Sequence, residues 1–302
     1  MKKSIFLSFI LCLCLVACIP QQAMAQKQSR MEKLLRYLND NDADKWQKNR
    51  EKLDDETKAY YAEDLSLMDV LNDLWNGQSE QAATLYFGCY EKAAQNNFPS
   101  ICEGEKIPLS QIRDKADQSI INLLEASKDK IPFSRALLDS IHATEYPVDS
   151  AMLQRLQNIR EVALLEGMLK APTPIIYQTY VKEYPNGKFI AQVNASENVR
   201  LYQLVKTTPT PANFKAFFED PEMQKYYQDR GPRPYLAEVR TLYDDFLFQR
   251  IDSLKKEGNA TAIRQIIDDY KNTPYLATGA RTHLNDLEYL SEKADFELLK
   301  PA

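Results

Sequence analysis

The chain has 302 residues, and its 38 lysine and arginine residues against 43 aspartate and glutamate residues give a formal net charge of −5. Nucleic acid and anionic membrane surfaces attract basic proteins, so this balance argues against both as partners. Only 8 glycines occur, well below the ~7 % of average usage, which makes tight hairpin turns scarce and favours an all-α fold.

The N-terminal segment, residues 1–25, has the pattern of a secretory signal peptide. A positive start at Lys2 and Lys3 precedes an apolar run from residue 5 to residue 19, which is shorter than the ~20 residues that span a bilayer as a helix. Small residues at positions 23 and 25 favour cleavage before Gln26. We therefore expect an exported protein of the periplasm or cell envelope. Removal of the segment leaves 36 basic against 43 acidic residues, a formal charge of −7.

Lipidation at Cys18 is the second hypothesis for this segment. The sequence LVAC at residues 15–18 resembles the lipoprotein box of bacteria, in which the cysteine is lipidated and becomes the new N-terminus. Such a lipid anchors a protein to a membrane. Against lipidation, Cys18 lies inside the apolar run, and a Pro-Gln-Gln spacer leads directly to the small residues before Gln26. A membrane is therefore expected as a partner only through a lipid anchor, if Cys18 is used.

An N-terminal helical region is predicted for residues 26–130, and it contains Cys89 and Cys102, the two cysteines outside the signal segment. Disulfides persist in exported proteins. The two cysteines are 13 residues apart, and bridging a loop of that size adds ~3 kcal/mol to stability. Two buried free thiols are the alternative, because unpaired cysteines behave as small core residues.

Residues 131–302 contain helical stripes and recurring motifs. Apolar residues recur at helical spacing over 152–169 and 235–254, which predicts two long helices. Three motifs recur: Glu-Tyr-Pro at 145 and 183, Pro-Thr-Pro at 172 and 209, and, at 189, 235 and 275, an aromatic residue followed two places later by alanine. Successive copies of a motif are 37 to 46 residues apart. Such spacing is typical of two-helix repeats that stack as a solenoid. The stretch Tyr-Pro-Asn-Gly at 184–187 is interpreted as a turn between paired helices, because asparagine and glycine tolerate left-handed backbone.

Part of this pattern resembles the tetratricopeptide repeat. Gly77, Ala82, Tyr86 and Cys89 fall at spacings of five, four and three residues, the arrangement of glycine, small, aromatic and small residues in the second helix of that repeat. The turn at 184–187, followed by Phe-Ile-Ala, is similar to loose tetratricopeptide-like repeats in envelope proteins of bacteria. The resemblance implies a tetratricopeptide-like α-solenoid that binds other proteins.

No catalytic residue, metal site or cofactor is predicted. His142 and His283 each stand alone, and the chain has no glycine loop for phosphate and no nucleophile motif. Two carboxylates suffice for glycoside hydrolysis, but adjacent acids on a helix point ~100° apart and do not reach one substrate atom together. Helix caps and solvated helix faces are therefore favoured for the adjacent acids. These acids are Asp54, Asp55, Asp244, Asp245, Asp268 and Asp269.

Aromatic doublets inside helices are the candidate binding residues. They occur at 60–61, 217–218 and 226–227, and when one ring of a doublet faces the core the other turns outward. Exposed rings suit a protein or peptide partner, or alternatively a glycan. For the doublet at 217–218, the alternative is that both rings reach the neighbouring repeat. The residues predicted to bind are Tyr226, Phe218 and Tyr61.

The function favoured by these patterns is a non-catalytic protein-binding or scaffolding role in the bacterial cell envelope. One alternative is a glycan-acting hydrolase of helical architecture that uses paired carboxylates, which rests on analogy between folds. The other alternative is a lipid-anchored accessory of an outer-membrane complex, which differs from the favoured function mainly in its anchoring.

Overall fold

The described part of the chain consists of helices joined by turns. A computed structural model describes residues 23–257, 259–271, 273–277, 279–282, 284, 285 and 288. No strand occurs among these residues, which confirms the all-α prediction for them. Most of the predicted signal segment, including Cys18, lies outside the described residues, as does His283. Residues 23–25 belong to the first helix.

Short connections join the helices. Helix α1 covers residues 23–39. The helices that follow are α2 (Ala43–Glu51), α3 (Asp55–Tyr60), α4 (Ala62–Trp75), α5 (Glu80–Gln95), α6 (Phe98–Gly104), α7 (Leu109–Ala126), α8 (Lys130–His142), α9 (Ser150–Lys170), α10 (Pro174–Glu183), α11 (Ile190–Thr207), α12 (Pro211–Phe218), α13 (Pro221–Tyr227), α14 (Leu236–Lys256) and α15 (Ala260–Tyr270). The stripes over 152–169 and 235–254 coincide with α9 and α14, so both predicted helices are confirmed. Within the described residues, no helix is both long and apolar enough to cross a bilayer.

The chain divides into two compact units, Met1–Ala163 (unit 1) and Leu164–Ala302 (unit 2), and the division lies inside α9. In unit 1, α4 packs along α5, and α5 also contacts α8. Leu67, Leu71 and other buried residues of α4 recur at helical spacing, which places them on the face that the core covers. The boundary predicted after residue 130 falls inside unit 1, because α8 packs on α5.

Unit 1 contains a buried cluster of aromatic rings around a carboxylate. The Tyr146 hydroxyl donates to Asp117 Oδ1 at 2.5 Å and lies 3.4 Å from the Tyr86 hydroxyl. Phe87 and Tyr90 pack edge-to-face against the Tyr146 ring, with centroids 4.9 and 5.1 Å away. Burial raises the pKa of Asp117 to about 6, and the hydrogen bond from Tyr146 opposes that shift. The first Glu-Tyr-Pro copy therefore contributes its tyrosine to the core of unit 1.

Three helices of unit 2 begin with the same local structure, which explains the recurring Pro-Thr-Pro motif. Thr173 caps α10 and Thr210 caps α12, each with its hydroxyl accepting from the backbone N–H three residues on, at 3.3 and 3.2 Å. Asp220 caps α13 in the same way at 2.8 Å. A proline follows each cap, at the position where its missing N–H is not needed and its fixed φ suits a helix.

The turn at 184–187 joins α10 to α11, as its sequence predicted, but neither Asn186 nor Gly187 is among the described residues with positive φ, so the left-handed backbone expected there is not used. Gly187 N donates to Tyr184 O at 2.9 Å and closes the turn. At the start of α11, Phe189 N donates to the Tyr180 hydroxyl at 3.0 Å, which ties the second helix back to the first. Helix α11 contacts α10, α12, α13 and α14, so it organises the core of unit 2.

Asp64 is a carboxylate that is buried in unit 1 with incomplete hydrogen bonding. It is 1 % exposed, and its Oδ1 has no hydrogen-bond partner among the described residues. Burial raises the pKa of Asp64 from an ordinary value of 3.8 to about 7. The folded state therefore holds the proton more tightly than the unfolded chain. As a result, the free energy of unfolding falls as the pH rises from 3.8 to about 7.

We expect Asp64→Asn to stabilise the protein more at pH 8 than at pH 5. The amide stays neutral, so the variant avoids the cost of ionising a buried carboxyl. That cost is about 1.4 kcal/mol for each unit by which the pKa of the folded state exceeds that of the unfolded chain. Denaturant unfolding followed by circular dichroism at the two pH values measures the difference. Asp73→Asn changes an exposed acid of the same helix. Its effect on the free energy of unfolding should be small and equal at pH 5 and pH 8. A pH-independent effect of Asp64→Asn would contradict the raised pKa.

Candidate functional site

Helix α13 is short and has a cavity on each side. Its buried residue Met223 and its contacts with α11 hold it in unit 2. Tyr226 lines cavity 1, which has a volume of about 750 Å³, and Tyr227 lines cavity 2, which has a volume of about 740 Å³. Successive side chains of a helix point ~100° apart, so the tyrosine doublet gives one ring to each cavity.

Cavity 1 lies between α13 and the turn that joins α10 to α11. Pro185 and Asn186 of that turn line it together with Asn194 of α11, and Tyr226 faces them from α13. The Tyr226 ring is half-buried, and the Arg230 guanidinium lies 4.3 Å from its centroid. Arg230 Nη1 also donates to Tyr226 O at 2.8 Å, so the arginine holds both the ring and its backbone. The charged residues that line cavity 1 are Glu222, Lys225, Asp229 and Arg230.

Cavity 2 lies on the other side of α13 and has a different chemical character. Rings and other apolar side chains form much of its wall. They are Phe218, Met223, Tyr227, Pro232, Leu236 and Tyr275. The charged residues that line it are Lys225, Arg233 and Arg240. Cavity 1 therefore combines both signs of charge, whereas the charged lining of cavity 2 is basic.

Arg233 is held in the wall of cavity 2 by residues of α11 and α12. Its Nε donates to Asn198 Oδ1 at 2.6 Å, and its Nη1 donates to the carbonyl oxygen of Phe217. The guanidinium carbon lies 3.9 Å from the centroid of the Phe217 ring. Burial lowers the pKa of Arg233, and the charge of Asp220 opposes that shift. A guanidinium nevertheless stays protonated in proteins, so this wall of the cavity carries a fixed positive charge.

The connection between α13 and α14 contains unusual backbone. Gly231 has φ +97°. Tyr235, which precedes α14, has φ +64°, and this left-handed conformation is rare for an aromatic residue. The Tyr235 ring stacks on Tyr202 with centroids 4.4 Å apart and planes 10° apart. This stack holds the end of the connection, next to the segment that carries Arg233.

Two of the three rings predicted to bind are buried. Tyr61 is 4 % exposed and Tyr60 is 45 % exposed, so this doublet alternates as predicted but with Tyr61 towards the core. Phe218 is 7 % exposed, because it stacks on Tyr275 at 4.3 Å and packs edge-on against Phe217 at 5.6 Å. The expectation that Tyr61 and Phe218 turn outward is therefore wrong. The alternative in which both rings of 217–218 pack against neighbouring helices agrees with the structure.

Cys89 and Cys102 are free thiols, so of the two states left open by the sequence the structure contains the unpaired one. Cys89 is half-buried, with its Sγ 3.6 Å from Ser66 Oγ. Cys102 is buried in α6, and burial raises the pKa of its thiol to about 12. Because the thiolate is the reactive form, burial makes Cys102 unreactive.

The adjacent acids have separate structural partners. Asp54 accepts from the backbone N–H of the first turn of α3 at 2.8 Å, and this bond lowers the pKa of Asp54 to about 2. Asp244 accepts from Ala277 N at 3.5 Å, and Asp268 pairs with Lys271 at 3.2 Å. In the part of the chain that the structure describes, no group of three or more His, Cys, Asp or Glu side chains is suited to a metal ion.

Comparison of the chain with protein-family models, with curated proteins and with solved structures finds no match. The candidate site therefore depends on its own geometry. Sequence reasoning found Tyr226, which lines cavity 1, but missed Arg233 and Arg240 of cavity 2. The signal for Arg233 was weak, because its stretch Arg-Gly-Pro-Arg-Pro at 230–234 is typical of a solvated loop.

We expect a thiol reagent to label Cys89 and spare Cys102 in the folded chain that begins at Gln26. At pH 8 without reductant, intact-mass spectrometry should show one label on the folded protein and two labels after unfolding in guanidinium. The reason is the burial and the raised thiol pKa of Cys102. Cys89→Ser is the control and should remove the label of the folded state. Absence of labelling after unfolding would show a disulfide and contradict the free thiols.

Proposed function

We propose that the protein is a non-catalytic binding or scaffolding protein of the bacterial cell envelope and that it binds a peptide segment of a partner protein in cavity 1. One observation carries this proposal: the Tyr226 ring, braced by Arg230, in the wall of a cavity of about 750 Å³. This volume lies within the range of ligand-binding pockets, about 300–1,000 Å³.

A braced tyrosine is well suited to anchor a partner. Tyrosine has few rotatable bonds, so it offers a large contact area and loses little conformational entropy on binding. Tyrosine and arginine are also enriched among the residues that dominate interface energetics. The Arg230 guanidinium over the Tyr226 ring reduces the remaining motion further. We therefore expect the binding energy of cavity 1 to concentrate at Tyr226.

The polar lining of cavity 1 favours a peptide as its occupant. Two acidic and two basic side chains line it, so a ligand of one charge sign would meet repulsion as well as attraction. Asn186 adds an amide group, which matches the donors and acceptors of a peptide backbone. The Asn194 side chain behind it is buried, and its Oδ1 accepts from the Tyr177 hydroxyl at 3.0 Å. A glycan, which also carries neutral donors and acceptors, is the alternative occupant.

For residues 131–302 we propose tetratricopeptide-like two-helix repeats that stack as an α-solenoid. Helices α10 and α11 are joined by the Tyr-Pro-Asn-Gly turn, and α10 and α12 begin with equivalent threonine caps. Helix α11 contacts both α10 and α12, as expected when one repeat packs on the next. Solenoids of this kind present extended binding surfaces, which supports the binding function.

Export is proposed from the signal pattern of residues 1–25. The alternative anchor at Cys18 would place the same binding unit on a membrane as an accessory of an outer-membrane complex. The two routes differ in the residue at the mature N-terminus, which makes them separable by experiment.

Mass spectrometry of the mature N-terminus, purified from the envelope fraction of a bacterial host, should find Gln26 or its cyclised form. The small residues at 23 and 25 favour cleavage at that position. Cys18→Ser is the control and should leave this processing unchanged. Recovery of a lipidated Cys18 as the first residue would refute simple cleavage and favour the anchored form.

Peptides selected on the purified chain from a random display library provide probes for cavity 1. Tyr226→Ala should weaken their binding about thirtyfold, because removal of a central anchor typically costs ~2 kcal/mol. Fluorescence anisotropy of the labelled peptides measures the affinity, and circular dichroism checks that the variant is folded.

Tyr60→Ala removes an exposed ring of unit 1 and is the matched control, with no expected change in affinity. Equal binding by the wild type and Tyr226→Ala would count against cavity 1 as the binding site. A glycan-hydrolysing activity that is lost in folded Asp244→Ala would instead favour the hydrolase alternative.

A further inference from the structure

Cavity 2 has a basic lining in a chain whose net charge is negative. Of the described residues that line it, the charged ones are Lys225, Arg233 and Arg240, and none is acidic. The whole chain has a formal charge of −5. Charge of one sign in a concave surface with apolar walls concentrates the electrostatic potential and attracts ions of the opposite sign. Cavity 2 therefore favours an anionic ligand.

The two arginines of cavity 2 are incompletely hydrogen-bonded. Arg233 Nη2 and Arg240 Nε are buried, and neither has a partner within the described ranges. Unpaired donors of a buried, charged group carry a desolvation cost that a suitable acceptor removes. Both nitrogens are buried where they stand, so an anion in the cavity would compensate Arg233 through its charge and would accept from Arg240 after that side chain turns.

The acids whose charges act on these arginines are engaged elsewhere. Asp220 and Glu197 act on Arg233 through charge, and Asp244 acts on Arg240. The Glu197 carboxylate is paired with Arg200 at 2.6 Å. The Asp220 carboxylate caps α13, and the Asp244 carboxylate accepts from Ala277 N. None of these acids supplies a partner for the unpaired guanidinium nitrogens in the described part of the chain. The positive charge of the cavity is therefore only partly compensated by the protein.

The two guanidinium groups differ in how firmly they are held. Arg233 is fixed by Asn198 and by the carbonyl and ring of Phe217. Arg240 is half-buried, and its Nε is without a hydrogen bond to any described residue. One arginine thus forms a fixed wall, and the other can turn towards a ligand by rotation of its side chain.

The rest of cavity 2 suits an apolar group beside the anion. Phe218 and Tyr275 stack with centroids 4.3 Å apart and planes 5° apart, and both line the cavity. Tyr227 and Leu236 add apolar surface. At Gly231 no atom beyond the glycine and its two chain neighbours lies within 4 Å of the position that a Cβ would occupy, so the connecting segment leaves open space there.

We propose that cavity 2 binds a carboxylate joined to an apolar or aromatic body. Arg240 turns to pair with the carboxylate, since the planar guanidinium fork matches the two carboxylate oxygens, and Arg233 adds a fixed positive charge beside it. Tyr275, supported by the buried Phe218 on which it stacks, forms the wall that contacts the body. The C-terminal residue of a peptide and a small aromatic acid share this chemistry. This site is separate from cavity 1 and goes beyond the function proposed for it.

Isothermal titration calorimetry of the purified chain tests the role of the carboxylate. N-acetylphenylalanine should bind at least about tenfold more tightly than N-acetylphenylalanine amide, because the amide lacks the charge that pairs with the arginines. Equal affinities would overturn the proposal. The peptide N-acetyl-Gly-Gly-Phe, as free acid and as amide, extends the comparison. A peptide acid that binds more tightly than the small acid identifies a peptide C-terminus as the ligand, and the opposite order identifies a small aromatic acid.

Arg240→Gln removes one guanidinium while the anchored Arg233 stays in place, and it should weaken binding of the acids at least about tenfold. Arg250→Gln changes an exposed arginine of the same helix and should leave the affinity unchanged. Tyr226→Ala should also leave it unchanged, so failure at cavity 2 is distinguishable from failure at cavity 1. Full affinity for the acids in Arg240→Gln, with thermal unfolding like that of the wild type, would overturn the assignment.

Discussion

Every helix begins with backbone N–H groups that lack partners inside the helix. In unit 2, three helices satisfy one of these N–H groups with a side-chain oxygen of the capping residue, and a proline follows that residue. The capping residues are Thr173, Thr210 and Asp220. These caps determine where the short helices start in a chain that has few glycines. Asp220 matters most for the candidate site, because it caps α13, and only two residues, 219 and 220, separate α13 from α12. The start of α13 sets the directions of Tyr226 and Tyr227, and therefore the ring that each cavity receives.

Buried polar groups of this chain are compensated in different ways. In unit 1 the Asp117 carboxylate accepts from Tyr146, so the aromatic cluster contains a paired acid. Asp64 of unit 1 and the two arginines of cavity 2 retain unpaired atoms in the described structure. Asp64 avoids the cost of a buried charge by keeping its proton, and its raised pKa reflects this. An arginine cannot become neutral in this way, because its guanidinium does not lose its proton in proteins. An external anion is the remaining way to balance the positive charge of a buried guanidinium.

The surroundings of α13 combine the features expected of a recognition surface. Aromatic rings are held by stacking and by neighbouring arginines, and two cavities of similar volume offer different charge. Lys225 and Gln228 line both cavities, so one short segment connects them. A partner that placed a polar segment in cavity 1 and a carboxylate in cavity 2 would use both sides of the same helix. Binding of one group of the partner would then hold the other group at a high effective concentration near its cavity, so the partner would bind more tightly than either group alone.

The sequence by itself determined the helical class, the spans of α9 and α14, and the turn at 184–187, because these depend on residue spacing and on local backbone preferences. It did not determine which ring of a doublet is exposed. Helix geometry sets the angle between neighbouring side chains, but the surrounding helices decide which of them is covered. Phe218 is buried because Tyr275 stacks on it, and Arg233 is fixed because Asn198 lies within hydrogen-bond distance. Such contacts join residues far apart in the chain, and only the tertiary structure brings them together.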